Sequence, residues 1–301
     1  MLHNEKNLFE QVILRASEYL GISEAIIEKD YYVTLFLKEL VKTAPNIIFK
    51  GGTSLSKCHH LIKRFSEDID LSIETDGKPT ESERRQLKDN ILSVIGKLNL
   101  SLENPEEIKS RMDFNAYTVN FPSVIATSFL KNALIVETAV FLKAYPVVTM
   151  TASSFIYDYL SENGFGDFIC KYNLEPFSVN VQSAERTFID KIYAIADYYL
   201  TDNLYEHSRH IYDIYKLYSA VKINDELKAL AARVVYDRKQ DRNCPSAKDG
   251  VNIKQVLKEI VDTNAYKKDY DEITANLLFE KVPYDTAIRV LSDIIQSRLF
   301  D

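Results

Sequence analysis

The sequence predicts an α+β fold: a sheet with flanking helices, followed by an all-helical C-terminal domain. Three observations lead there. Residues 46–49 and 68–73 are short apolar or alternating runs on either side of a Gly-Gly turn, the pattern of two strands around a tight connection. Two further strand-like runs follow, at 117–121 and 132–141. From Glu185 onward the apolar residues recur at helical spacing, as Phe188, Ile192, Ile195 and Tyr199 do. The predicted domains are therefore 1–184 and 185–301.

In chain order, residues 7–20 carry Leu8, Val12, Ile13, Ala16 and Leu20 at helical spacing, and Gly21 marks the stop. Ser23 caps a second helix that runs to about Leu40, and Pro45 breaks it. After the strand at 46–49 and the Gly51-Gly52 turn, a helix is expected from Thr53 to about Lys63. The strand 68–73 leads to a turn at 76–79 and a helix over 81–98. Val147–Met150 and Val179–Val181 are further short apolar segments. Helices are expected over 211–218, 223–235, 251–261, 269–280 and 284–298, with a solvated loop across 234–250.

The bulk composition narrows the class. The chain has 301 residues, 46% hydrophobic and 27% charged, so it can bury a sizeable core. No apolar run approaches the roughly 18–20 residues that span a bilayer, and the polar start lacks a signal-peptide core. Three cysteines, Cys58, Cys170 and Cys244, are odd in number and far apart, as expected of a reduced cytoplasmic protein. A net charge of −7 argues against a broad nucleic-acid-binding face but leaves room for a local basic groove.

Two motifs carry chemistry. In FKGGTSLSK, residues 49–57, a strand enters two glycines and a Thr-Ser pair opens a helix. Glycines allow close backbone approach, and the first turn of a helix offers amides without intrahelical acceptors. Gly51, Gly52, Thr53 and Ser54 thus form a candidate triphosphate loop. Alone, the same residues are equally a capped strand-to-helix turn. In RFSEDIDLSIE, residues 64–74, Asp68 and Asp70 fall on one strand face, with Ile69, Leu71 and Ile73 on the other. Such a carboxylate pair suits Mg2+, a cation that completes its shell with phosphate oxygens and water. An isolated pair of this kind is often just solvated. Strand, glycine turn, helix and carboxylate strand together favour the functional reading.

With these residues in hand, the chain resembles the AbiEii/AbiGii family of nucleotidyltransferase toxins, within the DNA polymerase β-like superfamily. The resemblance rests on EKDYYVTLFLKEL (28–40), FKGGTSLSK (49–57), RFSEDIDL (64–71), ERTFIDKIYAIADYY (185–199) and RHIYDIYKL (209–217), in the family's order, and extends to YKKDYDEI (266–273). One departure, Tyr31-Tyr32 where many relatives have Tyr-Trp, touches packing rather than chemistry. The resemblance implies a polymerase β-like sheet and transfer of a nucleoside monophosphate from an NTP to a hydroxyl. It further implies a tRNA 3′ end or other RNA as acceptor and a cognate antitoxin protein as partner. Transfer to a protein or small molecule, or a non-catalytic NTP- or antitoxin-binding module, are the alternatives. By motif, Gly52 and Thr53 match the phosphate loop and Asp68 and Asp70 the metal pair. Lys191 matches the lysine expected on the triphosphate, and Asp213 the late aspartate.

Other candidates are weighed on their surroundings. Superfamily members use a third carboxylate on a neighbouring strand, and Glu137, sharing its strand face with Ile135 and Ala139, is the candidate. Its role as base or further ligand is balanced by that of an edge-strand glutamate facing water. Asp213 could pair with Arg209, or orient Lys191 or the substrate. Lys50, Lys57 and Arg64 flank the loop as added positive charge or as solvated side chains. His59, His60, His207 and His210 lack metal-ligand spacing and are expected to be structural or exposed.

Overall fold

Ile47–Lys50 (β1) and Asp68–Ile73 (β2) pair antiparallel, with Ile47 opposite Ile73 and Lys50 opposite Asp70. Between them Gly51–Lys57 (α3) makes two turns of helix. This unit sits at the centre of a seven-stranded sheet in the computed structural model, which describes residues 1–66, 68–75, 78–126 and 130–300. The remaining strands are Ser101–Leu102 (β3), Phe114–Asn120 (β4), Ala133–Ala139 (β5), Val147–Ala152 (β6) and Phe177–Gln182 (β7). Their order is β3-β4-β5-β2-β1-β7-β6; β2 runs parallel to β5, β1 parallel to β7, and β4 antiparallel to β5. The sheet is therefore mixed. The first half of the expected turn at 76–79 lies outside the described residues.

The pleat sorts the side chains. On β5, Leu134, Val136 and Thr138 are buried while Ile135, Glu137 and Ala139 are only partly covered. On β2, Ile69 and Leu71 are fully buried and Asp68 and Asp70 are half-buried. Alternation of this kind is what strands with one core face produce. The core face packs with Lys6–Leu20 (α1), Glu24–Thr43 (α2) and Glu81–Lys97 (α4), in one cluster with Phe36, Leu37 and Ile91. Thr80 caps α4 in a full capping box with Glu83. Tyr31 and Tyr32 join Phe9 and Phe121 in an aromatic cluster, consistent with a packing role for that pair.

The chain divides into two units. One comprises Met1–Cys58, Ser66–Phe141 and Val147–Val181; the other comprises His59–Phe65, Leu142–Pro146 and Gln182–Asp301. The second is built on Ala184–Leu200 (α7), Arg209–Ala220 (α8), Asp225–Lys239 (α9) and Ile253–Asp262 (α10). A helical run from Lys267 to Leu277 contains a π-helical turn at Tyr270–Thr274, and Tyr284–Ala287 and Arg289–Gln296 close the fold.

Several expectations change in detail. The helix after the glycines ends at Lys57 instead of near Lys63, because the backbone beyond it is bonded elsewhere in the second unit. The Lys63 amide donates to the Tyr212 hydroxyl at 2.9 Å, the Phe65 amide to the Leu277 carbonyl at 2.8 Å, and Arg64 bridges to Leu278. Two short helices, Phe155–Glu162 (α5) and Gly166–Tyr172 (α6), appear where the sequence showed no long helical period. The expected loop 234–250 is not free. Its first residues extend α9 to Lys239, buried Arg238 pairs with Asp197, and the Ser246 hydroxyl donates to the same carboxylate at 2.6 Å.

Candidate active site

Register decides which carboxylates meet. Asp68 lies opposite Ile135 and Asp70 opposite Glu137 on the parallel neighbour β5. Cross-strand partners project from the same face of a sheet, with strands about 4.8 Å apart. The structure thus brings Asp68, Asp70 and Glu137 onto one face of two adjacent strands. On its far side Glu137 faces Ala116 of β4, which contributes no charge. Like charges side by side repel. Backbone ladders hold these three on one face, where a cation would be attracted.

The glycine turn closes on the same carboxylates. Gly51 has φ +74, and a Cβ built on it would fall 1.8 Å from Oδ2 of Asp70. No side chain fits there, so glycine is required both by the backbone angle and by the Asp70 carboxylate against it. This link between the two motifs was not legible in their spacing. Thr53 and Ser54 are buried, at 1% and 0% exposure. The Ser54 hydroxyl donates to the Gly51 carbonyl at 2.9 Å and so shapes the turn, while the Thr53 hydroxyl bonds to Ser66 at 3.0 Å. With two turns of helix, α3 adds little dipole. Anion-holding capacity rests on the amides of its first turn.

Below the loop, Lys57 is not a solvated flanking cation. It is 7% exposed, and its ammonium donates to Oδ1 of Asp30 at 2.5 Å and to the Ser153 carbonyl at 3.0 Å. Asp30 also accepts from the Phe155 amide at 2.8 Å. The neighbouring Glu28 is 2% exposed and accepts from the Ser123 hydroxyl and the Val124 amide. Burial pushes its carboxyl upward despite those bonds. Asp30 is thus an internal strut for the loop helix, while Glu28 ties α2 to residues 123–124, although charges on a helix ordinarily mark its wet face.

In the second unit, Lys191 and Asp213 face each other on α7 and α8 at 2.6 Å. Arg64, 2% exposed, grips Asp213 with two hydrogen bonds, Nε at 2.7 Å and Nη2 at 2.8 Å. Arg64 was expected to be a flanking cation; instead it is the buried partner of the late aspartate. Burial alone would raise the Asp213 carboxyl, but the Arg64 and Lys191 cations outweigh it and hold it below the usual carboxylate range. Burial pulls the Lys191 amine down from its ordinary value, and Asp213 opposes that pull. His210 Nδ1 lies 3.3 Å from the Lys191 ammonium, and burial with that nearby charge drives its imidazole strongly toward the neutral form. His59 bonds the Gln182 carbonyl at 3.0 Å.

Among the described residues, no group of three or more His, Cys, Asp or Glu side chains is placed to hold a metal by itself. Two aspartates on one strand face fit a different kind of site. Mg2+ commonly takes one or two carboxylates and draws its other oxygens from substrate phosphates and water. An all-oxygen pair beside a glycine turn meets that need, and Asp68 and Asp70 are the residues that would hold such an ion. Bound there, such an ion supplies charge stabilisation for a transferring phosphoryl group.

A mixed sheet with a carboxylate pair next to a Gly-Gly-Thr-Ser turn defines the nucleotidyltransferase class. The model of the family described as "Nucleotidyl transferase AbiEii toxin, Type IV TA system" matches residues 35–290, and the chain belongs to that family. It is accordingly a nucleotidyltransferase toxin of a type IV toxin–antitoxin system, a kind of system that includes an antitoxin partner, and its class uses an NTP as substrate. Among solved structures it is similar to MenT4, a nucleotidyltransferase toxin from Mycobacterium tuberculosis, with a TM-score of 0.53 and 17% identity over 95% of this chain and 88% of that one. That likeness is one of fold. No curated protein matches the chain. No helix among the described residues is long and apolar enough to cross a membrane.

Proposed function

We propose that the protein moves a nucleoside monophosphate from an NTP to the 3′ hydroxyl of an RNA, with tRNA as the first candidate, using Mg2+ held by Asp68 and Asp70. The observation that carries this reading is the register of Asp70 against Glu137, with Gly51 pressed against the same aspartate. In the reaction the acceptor oxygen forms a bond to the α-phosphorus, the bond to pyrophosphate breaks, and the acceptor proton must leave. Glu137, one strand away from Asp70 and set among Ile135, Ala139 and Ala116, is the group assigned to take that proton. The first-turn amides at Gly52 and Thr53 hold phosphate oxygens, while Gly51 and Ser54 fix the turn. Lys191 is assigned to the triphosphate on its motif match. Asp213, held by Arg64, opposes the pull of burial on that lysine and so favours its charged form, the one that neutralises phosphate.

The test is to incubate purified protein with each labelled NTP, Mg2+ and total RNA, beside the Asp68→Asn/Asp70→Asn double variant. Label in a tRNA-sized band with the wild type alone supports the reading and names the nucleotide. Label in protein or a small molecule moves the acceptor to those classes. Equal labelling by the double variant removes the assignment.

A further inference from the structure

The face that carries the carboxylates holds a fourth charged residue, which the sequence reads only as flanking positive charge or a solvated side chain. Lys50 is the last residue of β1 and lies opposite Asp70, which lies opposite Glu137. Lys50, Asp70 and Glu137 are therefore lateral neighbours on one face of three consecutive strands. The Lys50 ammonium donates to the Ala139 carbonyl of β5 at 3.2 Å. Ala139 lies two residues beyond Glu137, the partner of Asp70, so the side chain reaches that oxygen by crossing β2 on the diagonal from beside Asp70. Its charge is thereby tethered along the row, toward β5, and is not extended outward past the glycine turn. Lys50 is partly buried, so its charge is screened less than that of a surface lysine.

The geometry points to Lys50 as a built-in competitor of the metal: a tethered monovalent cation that lowers the affinity of Asp68 and Asp70 for a free divalent ion. It rests on the metal reading above and gives it a regulatory feature. Without Lys50 the face would present three carboxylates and attract any divalent cation. With the ammonium in place, an incoming ion of the same sign is repelled at a range of one or two strand spacings. A triphosphate arriving with its ion brings negative charge that offsets this repulsion, so the site favours metal that comes with nucleotide. The opposing possibility is that Lys50 is simply a phosphate hook. The two roles predict opposite effects of removing the charge on metal binding without nucleotide.

The experiment measures Mn2+ binding, from the loss of the free-ion electron paramagnetic resonance signal, to wild type, Lys50→Met, Lys50→Arg and Asp70→Asn, with no nucleotide present. Circular dichroism melts confirm that each variant is folded. Binding of inorganic tripolyphosphate in EDTA is followed on the same proteins by calorimetry. The expected result is Mn2+ binding about tenfold tighter in Lys50→Met, from the lost repulsion between like charges. Wild-type affinity should persist in Lys50→Arg, and binding should fall in Asp70→Asn. Unchanged or weaker Mn2+ binding in Lys50→Met, with weaker tripolyphosphate binding, would overturn the proposal in favour of a phosphate hook. If neither wild type nor Lys50→Met binds Mn2+, the metal reading itself fails and takes this proposal with it. Mn2+ bound by Lys50→Met alone would be its strongest support.

Discussion

Two aspartates show how one residue type serves opposite ends. Asp213, on a helix of the second unit, is fully buried, with Arg64 on both oxygens and Lys191 beside it. Asp70, on a strand of the first unit, is half-buried, has another carboxylate one strand away, and has glycine backbone pressed against it. Asp213 has its charge compensated within the fold, so its removal strands two buried cations. Asp70 lies between Glu137 on one neighbouring strand and Lys50 on the other, at a half-buried place where a ligand's cation would be attracted. A carboxylate satisfied by the protein reports on structure and positioning. One placed against its own kind reports on a ligand.

The comparison is sharpest in the response to neutralisation. Asp70→Asn is expected to lower nucleotide transfer about a thousandfold or more, equivalent to several kcal/mol of lost transition-state stabilisation. Its melting temperature should stay within a few degrees of wild type, since relief of repulsion offsets any lost contact. Asp213→Asn should do the reverse in stability, costing about 3–5 kcal/mol by leaving Arg64 and Lys191 uncompensated. For a protein of this size that is a fall in melting temperature of about 10 °C. It carries a pH signature whose sign follows from the depressed carboxyl. The stabilisation is fully present above the unfolded value of about 3.9 and is lost as pH falls from there through the lower folded value. Acid titration of stability should therefore show a component below about pH 4 in the wild type that Asp213→Asn lacks.

Glu137→Gln falls between these. A lost proton acceptor is expected to cost about a hundredfold in kcat with little change in stability, and to remove the acidic limb of the pH–rate profile. An unchanged profile would place Glu137 outside the chemistry. Gly51→Ala is expected to cost about 1–2 kcal/mol of stability, for forcing a side chain into left-handed backbone. Its transfer activity should fall further than that stability loss accounts for, because the new Cβ displaces the Asp70 carboxylate. A Gly51→Ala variant with wild-type transfer would separate the turn from the carboxylate site.

Local pattern carried much of this architecture, and long-range pairing did not. Strand alternation at 68–73 and the glycine turn at 51–52 were legible because pleat and turn chemistry act over a few residues. The pairing of Asp70 with Glu137 was not, since parallel strands joined through a distant crossover leave no spacing signature. Sequence placed Glu137 on a neighbouring strand only by resemblance. The Arg64–Asp213 clamp spans 149 positions, and an arginine beside a loop reads as solvated until its partner is seen. The buried ties of Glu28 and Asp30 left no signal for the same reason: their partners, Lys57 and the backbone at 124 and 155, are remote in sequence. Short helices such as α5 and α6 carry too few periods to announce themselves.

The most direct test is to measure transfer of labelled nucleotide and thermal stability on one preparation each of wild type, Asp70→Asn and Asp213→Asn. The account predicts that Asp70→Asn melts with the wild type and transfers nothing measurable, while Asp213→Asn melts well below both. An Asp70→Asn protein that retains transfer, or that loses it only because it unfolds, would contradict the claim that the strand carboxylates are there for a ligand.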